Sequence, residues 1–277
     1  MPLLVVSLGL SIALPALVAG GAALALRKIR GGAAIACGLG FIAAWASVRG
    51  WPTLPPHDTT QWLPILAALA VALGIGESAL RVGAGLRWAL RAVFVAIVLA
   101  SQIAPLFHST WTPAIGAMWT SGFAVLWLAT WLCLEQLILR TGGSWGAFIL
   151  MSLGALSSVA CGLSSSAALA QAGGMLTSAF GALWVVTRLH RNFDWKTSVL
   201  PVAAILLPAI LVDAGGYAEL RPITGSLLFA APAGGWLAAH VFRKSPHRDW
   251  LAAAVAILLG AGAVVAAVVT SSPGGLE

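Results

Sequence analysis

The sequence predicts an all-α membrane protein: a polytopic transmembrane helix bundle of about ten spans, with short loops and no soluble domain. Three observations predict it. The chain is 60% apolar and only 8% charged, whereas a soluble domain runs nearer 45–50% apolar and about 25% charged. Its apolar residues fall in runs of about 20, the length that crosses roughly 30 Å of hydrocarbon. Its Lys and Arg residues segregate between alternate loops, as cytoplasmic and external loops do. Disorder, a coiled coil and a soluble enzyme are excluded by that composition. A β-barrel would show short segments of strict polar/apolar alternation, and these runs are continuous.

The first span, 3–26, ends at Arg27-Lys28-Ile29-Arg30. It is too long for a signal-peptide core and lacks a basic segment ahead of it, so it reads as an uncleaved helix. The second, 31–49, runs to Arg49 and the Pro-rich stretch Trp51-Pro-Thr-Leu-Pro-Pro-His57-Asp58. The third, 62–80, is divided from the fourth, 88–107, by a segment carrying Arg81 and Arg87, with Arg91 just beyond. Phe107-His108-Ser-Thr-Trp-Thr-Pro113 separates the fourth from the fifth, 114–139, which closes at Arg140. The sixth and seventh, 145–163 and 172–190, are parted by the mild break Ser164–Gln171. One helix over that whole stretch would run to about 69 Å, more than twice the hydrocarbon thickness, so two crossings or one plus a re-entrant piece are required. Arg188, Arg191 and Lys196 precede the eighth span, 198–215. Asp213-Ala-Gly-Gly-Tyr217-Ala-Glu219-Leu-Arg221-Pro222 leads to the ninth, 223–242, and Arg243, Lys244 and Arg248 to the tenth, 250–270. The longest connection is 50–61, so residues 1–277 read as one integral membrane domain.

Counting basic residues at the adjoining helix ends, the odd-numbered loops carry 13 Lys and Arg, and the opposite side only Arg49 and Arg221. The positive-inside rule then puts the odd loops in the cytoplasm and both termini outside, in what reads as a bacterial cytoplasmic (inner) membrane. Merging the sixth and seventh spans would abolish the segregation, so the charges support ten crossings independently. The net charge of +7 is topogenic and faces the lipid bilayer, the one partner the sequence indicates. No contiguous basic surface or nucleic-acid module is present, so nucleic acid is not a partner. Trp51, Trp62, Trp88, Trp111, Trp145, Trp195 and Trp250 fall at span ends, as an interfacial belt does. Trp119, Trp127, Trp131 and Trp184 lie deeper and read as packing residues.

Cys37, Cys133 and Cys161 all fall within spans without metal-site spacing, and read as unpaired, small apolar side chains. Ala36/Gly40, Gly142/Gly146, Gly154/Ser158, Ser158/Gly162 and Gly174/Ser178 have the small-xxx-small spacing that lets helix backbones approach. Helices two, six and seven should therefore be buried. No phosphate-binding Gly-rich loop, His-Glu-x-x-His or Gly-x-Ser-x-Gly occurs. The serines at 157, 158 and 164–166 have no His on the same span. The sequence names no cofactor and leans away from an enzyme.

Ionisable groups in or beside spans are the candidate functional residues. Glu77 lies four residues before Arg81, an i,i+4 pair, and Glu135 about one turn before Arg140. Both are expected near the cytoplasmic ends of their helices, as paired interfacial charges or as a proton or cation mouth. On the outer side His57, Asp58, His108, Asp213 and Glu219 offer oxygen and nitrogen ligands for a small molecule or a metal, although nothing in their spacing requires one. Pro208 and Pro232 lie inside spans eight and nine, where each should kink its helix or free a carbonyl. An outward polar vestibule is the expectation there, with Asp213 at its base and Tyr217, Glu219 and Arg221 around it. The plainer alternative is a packed hairpin with Glu219 and Arg221 as a solvated pair.

Ten short helices in fewer than 300 residues resemble the drug/metabolite transporter superfamily in size and span number alone. That resemblance implies two inverted five-helix halves, with a boundary near 140–145. It also implies cytoplasmic termini, opposite to the charge placement. The best functional expectation is a small-solute transporter or permease. A non-catalytic membrane subunit or scaffold comes next, and a lipid-modifying membrane enzyme third. A transporter should show polar groups or unwound backbone at mid-membrane, and a scaffold a dry, packed bundle.

Overall fold

The computed structural model describes residues 2–80, 83–109, 111–190 and 193–271. Arg81, Arg191 and the side chain of His108 lie outside the described residues. Ten α-helices make up the fold, with no strand among the described residues. They are α1 (Pro2–Ala25), α2 (Gly32–Arg49), α3 (Trp62–Ala79), α4 (Ala84–Ser109), α5 (Pro113–Arg140), α6 (Trp145–Leu163), α7 (Ala167–Leu189), α8 (Lys196–Tyr217), α9 (Pro222–Val241) and α10 (Arg248–Ser271). Eight of them, α2 to α8 and α10, are long and apolar enough to cross a membrane, and α1 adds a shorter apolar stretch, Gly9–Ala25.

The expected spans and the helices agree closely, with two informative differences. The seventh helix starts at Ala167 rather than 172. Ser166 accepts from the Leu169 N–H at 3.4 Å and so caps the helix, reducing the break to three residues. The fourth helix starts at Ala84 rather than 88. That turns Arg91 from a loop-edge cation into a residue two turns inside a helix.

The centre of the bundle is α8. Its residues from Ser198 to Ala214 are all buried, because the helix is apolar on every side and can sit only where other helices cover it all round. It touches α2, α3, α4, α5, α6, α7 and α9. The peripheral helix α1 packs on α2 and α7, and α10 packs on α9 and α6. Small residues set the closest approaches. A Cβ on Gly74 would overlap the Ser198 carbonyl, so α3 lies against α8 backbone to backbone; a Cβ on Gly173 would come within 2.8 Å of Ser158 Cα, joining α7 to α6. The expectation that helices two, six and seven are buried is met, with half or more of each enclosed. Cys37, Cys133 and Cys161 are free thiols within their helices.

Neither Pro208 nor Pro232 interrupts its helix. Pro208 has no N–H, which leaves the Ala204 carbonyl one turn earlier without its helical donor. The Trp127 indole of α5 supplies one at 2.7 Å. Near Pro232, the Thr130 hydroxyl, which donates to Leu126 O of its own helix at 2.8 Å, also lies 3.3 Å from Phe229 O. Both prolines, with Thr130 and Ser157, line a cavity of about 20 Å³, room for one water molecule.

A candidate functional site at the two ends of the central helix

Because consecutive helices alternate in direction, the odd-numbered turns cluster at one end of the bundle and the even-numbered turns at the other. The odd-turn end holds a buried charge cluster. Arg91 lies on the inward stripe of α4 with Val95, Val98 and Gln102, all buried. Its Nε and Nη2 donate to Glu77 Oε1 and Oε2, each at 2.7 Å. Its Nη1 and Nη2 donate to Glu135 Oε2 at 2.7 Å and Oε1 at 3.0 Å. The guanidinium fork thus grips two carboxylates at once, a geometry its planar donors fit and an ammonium does not. Trp88 and Trp131 flank it, with ring centroids 4.8 Å and 5.1 Å from Cζ. Arg91 is 0% exposed, Glu77 7% and Glu135 8%.

The expected Glu77–Arg81 pair falls on a residue outside the described ones. Among the described residues, Glu77 and Glu135 share Arg91 from a third helix, and Glu135 pairs with it rather than with Arg140. The exposed Arg140 instead lies 3.3 Å from His240 Nδ1. With all three groups ionised the cluster carries one negative charge. It is not sealed: a cavity of about 340 Å³ opens against Glu77, walled also by Arg27, Lys28, Arg30, Ser78 and Asp194.

The even-turn end is built differently. Asp213 lies on α8 one turn from its C-terminus and is 0% exposed. The Thr59 hydroxyl approaches its carboxyl, but neither oxygen has a well-formed hydrogen bond. Gln102 lies along the same side of α8. Its Nε2 donates to Ala209 O at 3.2 Å, and its backbone carbonyl accepts from Tyr217 Oη at 2.7 Å. Gln102 is therefore tied to α8 one turn before and one turn after Asp213, while its own Oε1 stays buried without a partner. Asp58 has a local task. Its Oδ1 accepts from Gln61 N at 2.9 Å and Thr60 Oγ1 at 2.7 Å, capping the single 3₁₀ turn Thr59–Gln61. His57 stays in the same exposed turn, where its N–H donates to Gln61 Oε1 at 3.3 Å.

The expected outer vestibule takes another form. Glu219 and Arg221 do line a polar cavity, but with Ser164, Ser165, Thr224 and Thr270 rather than around Asp213. No ion pair joins them among the described residues. His57, Asp58, Asp213 and Glu219 are not gathered into a set that could hold a metal among the described residues.

Arg91, Gln102 and Trp127 are the residues that sequence reasoning passed over. Arg91 was legible in principle: two carboxylates inside spans near the same end demand a cation, and positions 91, 95, 98 and 102 repeat at helical spacing. Gln102, the polar member of that stripe, carried the same signal. Trp127 carried none, since nothing local links it to a proline on another helix. Set against protein-family models, curated proteins and solved structures, the chain matches none of them.

Proposed function

We propose that this chain is a small-solute transporter or permease whose buried carboxylates take up and release a proton. The observation that carries the reading is the Glu77–Arg91–Glu135 cluster with a polar cavity opening on Glu77. Two acids share one base inside the bundle, so one carboxylate can gain a proton while the other keeps Arg91 paired. Ionisable residues enclosed within membrane helices are costly and typically serve such relays. A second polar cavity lies at the opposite end of α8, and the Ala204 carbonyl, Trp127, Thr130 and Gln102 put polar groups in the enclosed stretch between. A non-catalytic subunit is the second reading, favoured by the close packing of α8 along its length.

The test is purified protein in liposomes under an imposed pH gradient, with an internal pH dye and a panel of small solutes. Solute-dependent proton flux is expected in the wild type, lost in Glu77→Gln and reduced in Glu135→Gln. Absence of flux with every solute class, or flux indifferent to Glu77→Gln, overturns the reading.

The orientation belongs to the same proposal. With Arg91 withdrawn into the bundle, twelve basic residues still mark the odd turns against two opposite. The odd turns are therefore assigned to the cytoplasm, the termini to the outside, and the membrane to a bacterial inner membrane. Reporter fusions at Ala84 and Lys244 should read cytoplasmic, and at Pro56 and Glu219 external; the reverse pattern overturns the assignment. The division into two five-helix halves near 140–145 remains part of this proposal.

A further inference from the structure

The cavity at the even-turn end has a volume of about 220 Å³ and opens to the outside of the bundle. Packing leaves three features of its wall unexplained. Glu219 and Arg221 carry opposite charges and both face it, yet they do not pair. Arg221 Nη2 donates only to Thr270 O at 3.3 Å, and the Glu219 carboxylate has no partner among the described residues. The Thr224 hydroxyl is buried without a partner on a wall residue that is 0% exposed. Finally, Ser165 (φ 63°) and Glu219 (φ 55°) are the non-glycine residues with left-handed backbone among the described residues, and both line this one cavity. Such backbone is strained and gathers at ligand clamps.

We infer that this cavity binds a small zwitterion, a molecule carrying an ammonium and a carboxylate or phosphate a few bonds apart. An anion alone would be drawn to Arg221 but repelled by Glu219, and a cation alone the reverse. A ligand with both charges satisfies both side chains. Arg221 donates to its acidic end, while Glu219 accepts from its ammonium. Two sources share this chemistry: a free amino-acid-like solute, and the ethanolamine phosphate headgroup of a lipid. As the cargo of a transporter, the zwitterion rests on the function proposed above; as a bound ligand it does not.

The test is calorimetric titration and thermal melting of the whole chain in phosphatidylglycerol nanodiscs. The probes are glycine and phosphoethanolamine, with acetate and methylammonium as single-charge controls. A zwitterion should bind saturably and raise Tm while the controls do neither. Glu219→Gln and Arg221→Gln, both exposed turn residues expected to fold, should each weaken binding about tenfold. Adding phosphatidylethanolamine to the nanodiscs separates the sources. If the headgroup is the occupant, phosphoethanolamine affinity falls; if a free solute is, glycine affinity is unchanged. No binding by either zwitterion, equal effects from the controls, or wild-type affinity in both charge variants overturns the inference. Zwitterion binding without flux leaves this site standing and removes the transporter reading.

Discussion

Glu77 and Asp213 are both buried carboxylates within about a turn of a helix C-terminus, where the negative end of the helix dipole disfavours an acid. Their surroundings are opposite. Glu77 has both oxygens bonded to a guanidinium that also holds Glu135. Asp213 has only the Thr59 hydroxyl near its carboxyl, in no well-formed hydrogen bond, although it sits on the most enclosed helix of the bundle. A charge removed from water is tolerated when its partner is removed with it. The odd-turn cluster follows that rule and should fail as a unit if one member is lost. Asp213 breaks the rule, so its retention is not explained by stability. One end of α8 pairs its buried acids with a cation, and the other buries an acid without one.

The largest effect should come from breaking the compensated end. Arg91→Leu leaves two buried carboxylates facing each other with no cation between them, and the loss expected for stranding buried charges is about 3–5 kcal/mol. Thermal melting in detergent should show it. The triple variant Arg91→Leu/Glu77→Gln/Glu135→Gln should recover most of the loss, because no uncompensated charge is left. Arg91→Lys should fall between, since an ammonium cannot grip two carboxylates bidentately. A wild-type melt for Arg91→Leu would mean that the cluster is not the structural centre of its end.

A smaller effect should come from the backbone between the two ends. Trp127→Phe keeps the ring but removes the donor to the Ala204 carbonyl, and an unsatisfied buried carbonyl costs about 1–3 kcal/mol. Pro208→Ala returns a helical N–H to that same carbonyl. The double variant should therefore cost less than the sum of the singles, and a double-mutant cycle read from melting measures that coupling directly. Additive losses would show that the indole and the proline are not linked through Ala204.

Most of the fold was legible in the sequence, because the hydrocarbon thickness sets the length of each apolar run and the basic turns punctuate them. The misplaced start of α4 shows where that logic stops. A reading based on charge as punctuation leaves Arg91 at the cytoplasmic end of its span, since an arginine inside a helix bundle makes sense only once Glu77 and Glu135 are known to arrive from α3 and α5. Those two acids were singled out, but their partner was not, because the pairing is tertiary and spans 14 and 44 residues of chain. At the other end, Asp213, Glu219 and Arg221 were all picked out, and the geometry divided them. Glu219 and Arg221 face a cavity built by α6, α9 and α10, while Asp213 turns towards Thr59 beside α3. Residues six to eight positions apart across a helix end can face different compartments, and apolar periodicity does not report which.

The smallest expected change in stability is the most telling for the comparison. Asp213→Asn keeps the shape of the side chain and removes its capacity for charge. No well-formed hydrogen bond to the carboxyl is lost, because none is present. The new amide brings two donors near the Thr59 hydroxyl, and the cost of an acid without a partner disappears. The variant should therefore melt no lower than wild type, and at most about 1 kcal/mol higher. The matched substitution at the other end, Glu77→Gln, should cost about 1–3 kcal/mol by unpairing one side of Arg91. Solute-dependent flux should fall in both variants, so stability and function separate at Asp213 and move together at Glu77, as expected where an active site holds groups that stability alone would not keep. If Asp213→Asn melts as low as Glu77→Gln, the carboxyl has a partner that matters as much as Arg91 does, and the two ends of α8 obey the same rule after all.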